Sequence, residues 1–256
     1  MLSNRLLKYY SSLLYKKYRK LENKFIIEGK KLVYEGLNSN YDCEIVIITD
    51  EFYRNNKEFV EFVKQRTIIE KIELDEVKRL SDTETPQGVF AVFNKLEVID
   101  SNYNDNLIIA LDNINDPGNV GTIFRNCDWF GVKTIILSEG CAEVYNPKTI
   151  RSSMGSIFRM NFIEDLNLID FINNKKHEGY FSFATDLKGE NLYELNFPNK
   201  GIIVFSNEAN GPSAELLKTV NGIITIPKFG NAESLNVSSA SAVILSEYAR
   251  RNLNEK

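Results

Sequence analysis

Histidine is almost missing from this chain: His177 is the only one in 256 residues. That scarcity excludes Ser-His-Asp triads, HExxH zinc sites and histidine acid–base chemistry unless His177 itself serves. It lies in the polar stretch NNKKHEGY, which reads as a solvated loop. Cysteine is scarce too. Cys43, Cys127 and Cys141 are odd in number and never spaced CxxC, so no disulfide framework and no metal site is expected. No apolar run approaches the roughly 18 residues a membrane-spanning helix needs. The N-terminal segment is interrupted by Arg, Lys and Ser where a signal peptide would be apolar, so a cytoplasmic protein without membrane association is expected. Neither GxGxxG after a strand, nor the P-loop pattern GxxxxGK followed by Ser or Thr, nor GxSxG occurs. Standard dinucleotide binding, P-loop phosphate transfer and the serine-hydrolase elbow are therefore unsupported.

What is present is an ordinary globular composition, 43% hydrophobic and 26% charged, long enough for one large domain or two small ones. Charge is unevenly spread. Residues 1 to 31 carry nine basic side chains against Glu22 and Glu28, a net +7 within a chain whose total is −4. Tyr9, Tyr10, Tyr15 and Tyr18 are interleaved with them. Such an arm has what phosphate neutralisation and base stacking require, and it equally suits a solvated amphipathic helix.

Patterning divides the chain. A basic helical stretch to about Leu21, a helix around Glu28 to Asn38, the run CEIVIITD, a charged helix from Phe52 to Arg66, then TIIEKIEL and GVFAVFN make a small α/β unit over residues 1–95. Polar residues 96–106 read as a linker. Over 107–256 the runs LIIAL, VKTIIL, YFSFAT, GIIVF and GIITI are apolar on both faces and separated by helical patterns. They predict a mostly parallel sheet with helices on both faces, and a ligand beyond the strands' carboxyl ends.

Three clusters lie at such ends. In LDNINDPGNVGTIFRNCDWFGV a strand leads to the turn Asp116-Pro117-Gly118, with Asn119 placed to cap a helix whose core stripe is Val120, Ile123, Cys127 and Phe130. Arg125 falls opposite that stripe, a position that suits an anion contact or an ordinary surface arginine. In IIVFSNEANGPS, Glu208 occupies a turn before a helix starting near Ser213, either as an N-terminal charge for that helix or as a ligand contact. In IPKFGNAESLNVSSASAV a strand ends at Pro227, and Asn236 or Ser234 caps a helix with Val237, Ala240, Ile244 and Tyr248 on its apolar face.

Together these clusters resemble motifs 1, 2 and 3 of the SpoU/TrmH family of RNA ribose 2′-O-methyltransferases, within the SPOUT superfamily. NPKTIRSSMGSIFRM resembles the family's intervening segment. The N-terminal part, with KYRKLENKFIIEGKKLVYEGL and SDTETPQGVFAVF, is similar to the L30e-like substrate-binding domain fused to many such enzymes. Ser206 and Ala209 stand where the family often has glycine.

The resemblance implies an α/β SPOUT domain with a deep trefoil knot, behind a smaller L30e-like domain. It implies S-adenosyl-L-methionine as cofactor, held by loops that include Ser206, Asn207, Gly211, Ile226, Gly230, Ser234 and Leu235. Arg125, Asn119, Glu208, Asn236 and Ser238 are the implied catalytic set: Arg125 at the 2′-hydroxyl, Asn119 orienting Arg125 or the ribose, Glu208 ordering the loop, and Asn236 with Ser238 holding phosphate or the knot loops. RNA is the implied partner, ribosomal favoured over transfer RNA, and a homodimer the implied assembly. Lys16, Lys17, Arg19, Lys20, Lys30, Lys31 and Arg151 are the expected RNA contacts. The rival readings are a non-catalytic RNA-binding or ribosome-assembly protein that retains this fold, and a Rossmann-like enzyme for a small phosphorylated substrate with Arg125 as the anion clamp.

Overall fold

A computed structural model describes residues 1–96 and 105–252. Most of the expected linker, residues 97–104, lies outside the described residues. The chain divides into two compact units, Met1–Val98 with Tyr145–Phe158, and Ile99–Val144 with Arg159–Lys256.

The first unit begins with α1 (Asn4–Ser12), α2 (Lys16–Glu22), β1 (Lys24–Glu28), α3 (Lys30–Leu37), β2 (Cys43–Thr49), α4 (Asp50–Asn55) and α5 (Lys57–Lys64). It continues through β3 (Ile69–Ile72), α6 (Val77–Leu80) and β4 (Val89–Asn94). Its sheet has the order β1-β4-β2-β3, antiparallel except for the β2–β3 pair. Leu7, Leu13, Ile26, Ile45, Ile47, Phe90 and Val92 form one core. The single basic helix expected to Leu21 is broken after Ser12. Arg19 explains the break: it is 2% exposed, and its Nη1 donates to the Leu13 carbonyl at the C-terminal end of α1. It thereby satisfies a carbonyl that helix geometry leaves open. Arg19 is accordingly no surface cation for RNA, which corrects its expected role.

The second unit holds β5 (Leu107–Asp112), α7 (Pro117–Trp129), β6 (Thr134–Ser138), β7 (Asn161–Leu166), α9 (Leu168–His177), β8 (Phe181–Asn191) and β9 (Gly201–Ser206). It ends with α10 (Ala214–Thr219), β10 (Gly222–Thr225) and α11 (Val237–Asn252). Between β6 and β7 comes α8 (Pro147–Ser153), whose segment Tyr145–Phe158 packs into the first unit although the sequence pattern places it with the second. The reason is aromatic: Tyr145 and Phe158 join Phe25, Tyr41 and Phe93, with Phe25 to Tyr145 centroids 4.6 Å apart. Gly36 of α3 belongs to the same packing, since a Cβ there would lie 2.5 Å from the Phe93 ring.

All neighbours in the six-stranded sheet β10-β8-β9-β5-β6-β7 are parallel. One face is covered by Leu168 and Ile172 of α9 and Leu216 of α10. Helices α7 and α11 pack against each other, with α11 also against β9. The fold is the expected α/β arrangement. The edge strand β7 (NFIEDL) carries no apolar run, because a partly exposed edge does not need one. His177 is the last residue of α9 and lies exposed, instead of in a loop. No helix among the described residues is long and apolar enough to cross a membrane.

Candidate active site

The carboxyl ends of β5, β9 and β10 carry the three clusters. Pro117 opens α7, and Asp116, not Asn119, caps it, accepting from the Asn119 N–H at 3.0 Å. This leaves the Asn119 side chain available. Its Nδ2 donates to Glu208 Oε1 at 3.0 Å, and its Oδ1 accepts from Asn236 Nδ2 at 2.9 Å. Glu208 Oε1 also accepts from Asn236 Nδ2 at 3.3 Å and from the Val237 N–H at 3.2 Å. Glu208 therefore meets the first turn of α11, whereas α10 takes Ser213 as its cap. The turn by itself suggests a charge for α10 or a ligand contact, and does not point to α11. Asn236 is the cap of α11, its Oδ1 accepting from the N–H groups of Ser238 and Ser239 at 2.9 and 3.4 Å and from the Ser238 hydroxyl.

Asn119, Glu208, Asn236 and Ser238 thus form one hydrogen-bonded cluster. Arg125 is not part of it. It is exposed on α7 with no hydrogen bond or ion pair among the described residues. Six residues beyond Asn119, it stands about 9 Å further along the helix and about 120° around it.

Beside the cluster is a cavity of about 570 Å³, within the usual range for ligand sites. Ser206, Asn207, Gly211, Ile226, Gly230, Ser234 and Leu235 all lie on its wall, as does Glu208. The loop after β9 is built by short-range bonds: the Asn207 Oδ1 accepts from the Ala209 N–H at 2.8 Å, and the Asn207 carbonyl accepts from Gly211, whose φ is +61°. Asp112, which no sequence motif marks as a site residue, anchors this loop from β5. Its Oδ2 accepts from the Ser206 hydroxyl at 3.1 Å and its carbonyl from the Asn207 N–H. Burial raises the Asp112 carboxyl above its ordinary value, against the pull of the Ser206 bond. The strand register, which sets Asp112 opposite Ser206, is the only signal that could have found it.

Thr185, Asp186 and Leu187 add a further wall segment that the sequence did not single out. They lie where the β8–β10 register jumps from Ala184↔Ile223 to Glu190↔Ile224, turning β8 outward. The wall combines apolar Ile224, Val237 and Ile244 with the carboxylates of Asp186, Glu208 and Glu233 against Lys228. Apolar surface with excess negative charge fits a nucleoside that carries a sulfonium cation, so the residues suit S-adenosylmethionine. Burial pushes the Cys43 thiol up to about 12 and raises those of Cys127 and Cys141, and none of the three lines the cavity. Among the described residues no group of His, Cys, Asp and Glu could hold a metal ion.

In the first unit Lys16, Lys17, Lys20 and Lys31 are exposed. Lys30 donates to Asn56 Oδ1 at 2.9 Å, and Arg151 is clamped bidentately by Asp82.

Residues 106–246 match the SpoU rRNA Methylase family, and residues 4–91 the MRM3-like substrate binding domain. The 23S rRNA (guanosine(2553)-2′-O)-methyltransferase RlmP of Bacillus subtilis is 31% identical over 231 residues, 90% of each chain. A TrmH-family protein from Porphyromonas gingivalis superposes with a TM-score of 0.87 at 34% identity, over 98% of this chain and 99% of that one. The AdoMet-bound rRNA methyltransferase from Sinorhizobium meliloti gives 0.83 at 27% identity, over 99% and 97%. On these grounds the chain belongs to the SpoU rRNA methylase family.

Proposed function

We propose that this protein transfers a methyl group from S-adenosylmethionine to a ribose 2′-hydroxyl of ribosomal RNA, in the cytoplasm. The observation that carries the reading is the closure of Asn119, Glu208 and Asn236 beside the cavity, in a chain 31% identical to a 23S rRNA 2′-O-methyltransferase. Catalysis is favoured over a purely RNA-binding role, because Ser206, Asn207, Gly211, Ile226, Gly230, Ser234 and Leu235, the implied cofactor residues, all lie on the wall of one cavity.

The reaction forms an O–C bond at the ribose and breaks an S–C bond, with the hydroxyl proton leaving to solvent or to the adjacent phosphate. When bound, S-adenosylmethionine supplies the electrophilic methyl group. The chain's task is alignment. Glu208 gathers three donors and fixes the loop after β9 to the start of α11, which sets the cavity rim. Arg125 offers a planar fork of donors and no acceptor, so it holds the phosphate and polarises the hydroxyl. Since one chain leaves Arg125 outside the cluster, we infer a homodimer in which a second copy presents it. The trefoil knot implied by the family belongs to the same reading.

The direct test is transfer from radiolabelled S-adenosylmethionine to separated ribosomal and transfer RNA from cells lacking this protein, with the labelled nucleotide mapped. A single 2′-O-methylated site in ribosomal RNA is expected; label confined to transfer RNA, or none anywhere, overturns the proposal. RNA capture by the first unit is a separate expectation. Replacing Lys16, Lys17 and Lys20 with alanine should weaken RNA binding and lower the slope of log K against log salt by up to about 3, near one unit for each phosphate no longer neutralised. An unchanged slope places RNA capture elsewhere.

A further inference from the structure

The loop from Ile226 to Leu235 lines the cavity, and within it Phe229 is 96% exposed. Leaving a phenylalanine side chain in water forgoes the favourable burial of its ring. The ring makes no aromatic or cation–π contact with any described residue, and it is the only aromatic side chain on the cavity wall. At that exposure the ring is open to a flat partner, and its neighbours Lys228 and Gly230 are exposed as well. The other highly exposed aromatic of this unit, Trp129 at 82%, is ten residues beyond Asn119 on α7, about 15 Å along the helix axis.

Ribose methylation poses a selection problem. The 2′-hydroxyl is common to every nucleotide, so discrimination has to come from the bases, which proteins read in unpaired RNA by stacking them on aromatic rings. A base is covalently joined to the ribose that must reach the cavity, or to the ribose next to it. We infer that Phe229 is a stacking platform for a nucleobase of the RNA substrate, at the target nucleotide or its immediate neighbour, with the Lys228 ammonium beside it for a phosphate. The inference rests on the proposed function and extends it from cofactor to substrate.

The test uses the full chain and an unmodified 23S ribosomal RNA transcript. Phe229→Ala and Phe229→Leu should each weaken RNA binding about tenfold, while Phe229→Tyr and Phe229→Trp stay within about twofold of wild type. Affinity for S-adenosylmethionine, measured by calorimetry, should change much less than affinity for RNA. Leucine matching phenylalanine overturns the stacking assignment, because it shows an apolar contact with no need for a ring. So does an unchanged RNA affinity in Phe229→Ala. So does a shift in sedimentation on that substitution, which would show the ring covered by a second copy of the chain. Wild-type protein that transfers no methyl group and binds no RNA overturns the proposed function itself, and the platform with it; transfer by wild type alongside an indifferent Phe229→Ala overturns only the platform.

Discussion

Arg125→Ala should lower methyl transfer by about a thousandfold and leave the dissociation constant of S-adenosylmethionine unaltered. The size follows from removing a fixed positive charge at the reacting centre, which typically costs about 10²–10³ in turnover. Unaltered cofactor binding follows from the proposed role, since the guanidinium is assigned to phosphate and hydroxyl, and Arg125 does not line its own chain's cavity. Arg125→Lys keeps the charge but loses the planar fork that grips phosphate and hydroxyl together, so it should recover little. The proposed assembly adds a sharper readout. Mixing inactive Arg125→Ala with inactive Glu208→Ala should restore roughly a quarter of wild-type activity after random exchange, because half the dimers are mixed and each carries one intact site. Turnover in Arg125→Ala equal to wild type would sink the assignment of this residue. A mixture that stays inactive would place Arg125 and Glu208 in the same protomer's site.

Glu208→Ala should reduce turnover by about 10²–10³-fold, with little change in unfolding midpoint. Glu208, Asn236 and Ser238 are on or near the surface, and an exposed hydrogen-bond network contributes little to stability. Its contribution is orientation of the loop that borders the cavity. All three donors, from Asn119, Asn236 and Val237, converge on the one oxygen Oε1. A glutamine keeps an acceptor there, so Glu208→Gln should retain activity within about tenfold of wild type. If the glutamine variant is as inactive as the alanine variant, the negative charge rather than the acceptor is what the site needs. If both keep full turnover, the network is ornamental to the reaction.

Local pattern carries far in this chain wherever a residue's neighbours in space are also its neighbours in sequence. The unbroken apolar runs of β5 and β9 identify strands covered on both sides, and the sheet is parallel. The helical period puts Arg125 opposite Val120, Ile123 and Cys127, which are fully buried while Arg125 is exposed. The helix start near Ser213, and Asn236 as one of two candidate caps with Ser234, are legible because a cap acts over two or three residues.

Where local pattern falls short, the partner is distant or the element too short to show a period. Strand β1, five residues long, is hidden between two helical patterns, and β7 has too little buried surface to mark itself. The basic arm displays Arg19 as one more surface charge, since composition records charge and not direction; only packing turns it inward to the end of α1. The sequence by itself determined the class of fold, the succession of motifs and the exposed face that carries Arg125, all of which depend on local periodicity. The tertiary structure alone decided that Glu208 serves α11 and not α10, that Asp112 holds Ser206, that Arg125 stands apart from the Asn119 cluster, and that Tyr145–Phe158 packs with the first unit. These pairings join residues as far apart in the chain as Phe25 and Phe158, and their distance in space is set by strand order and register, which no local window of sequence contains.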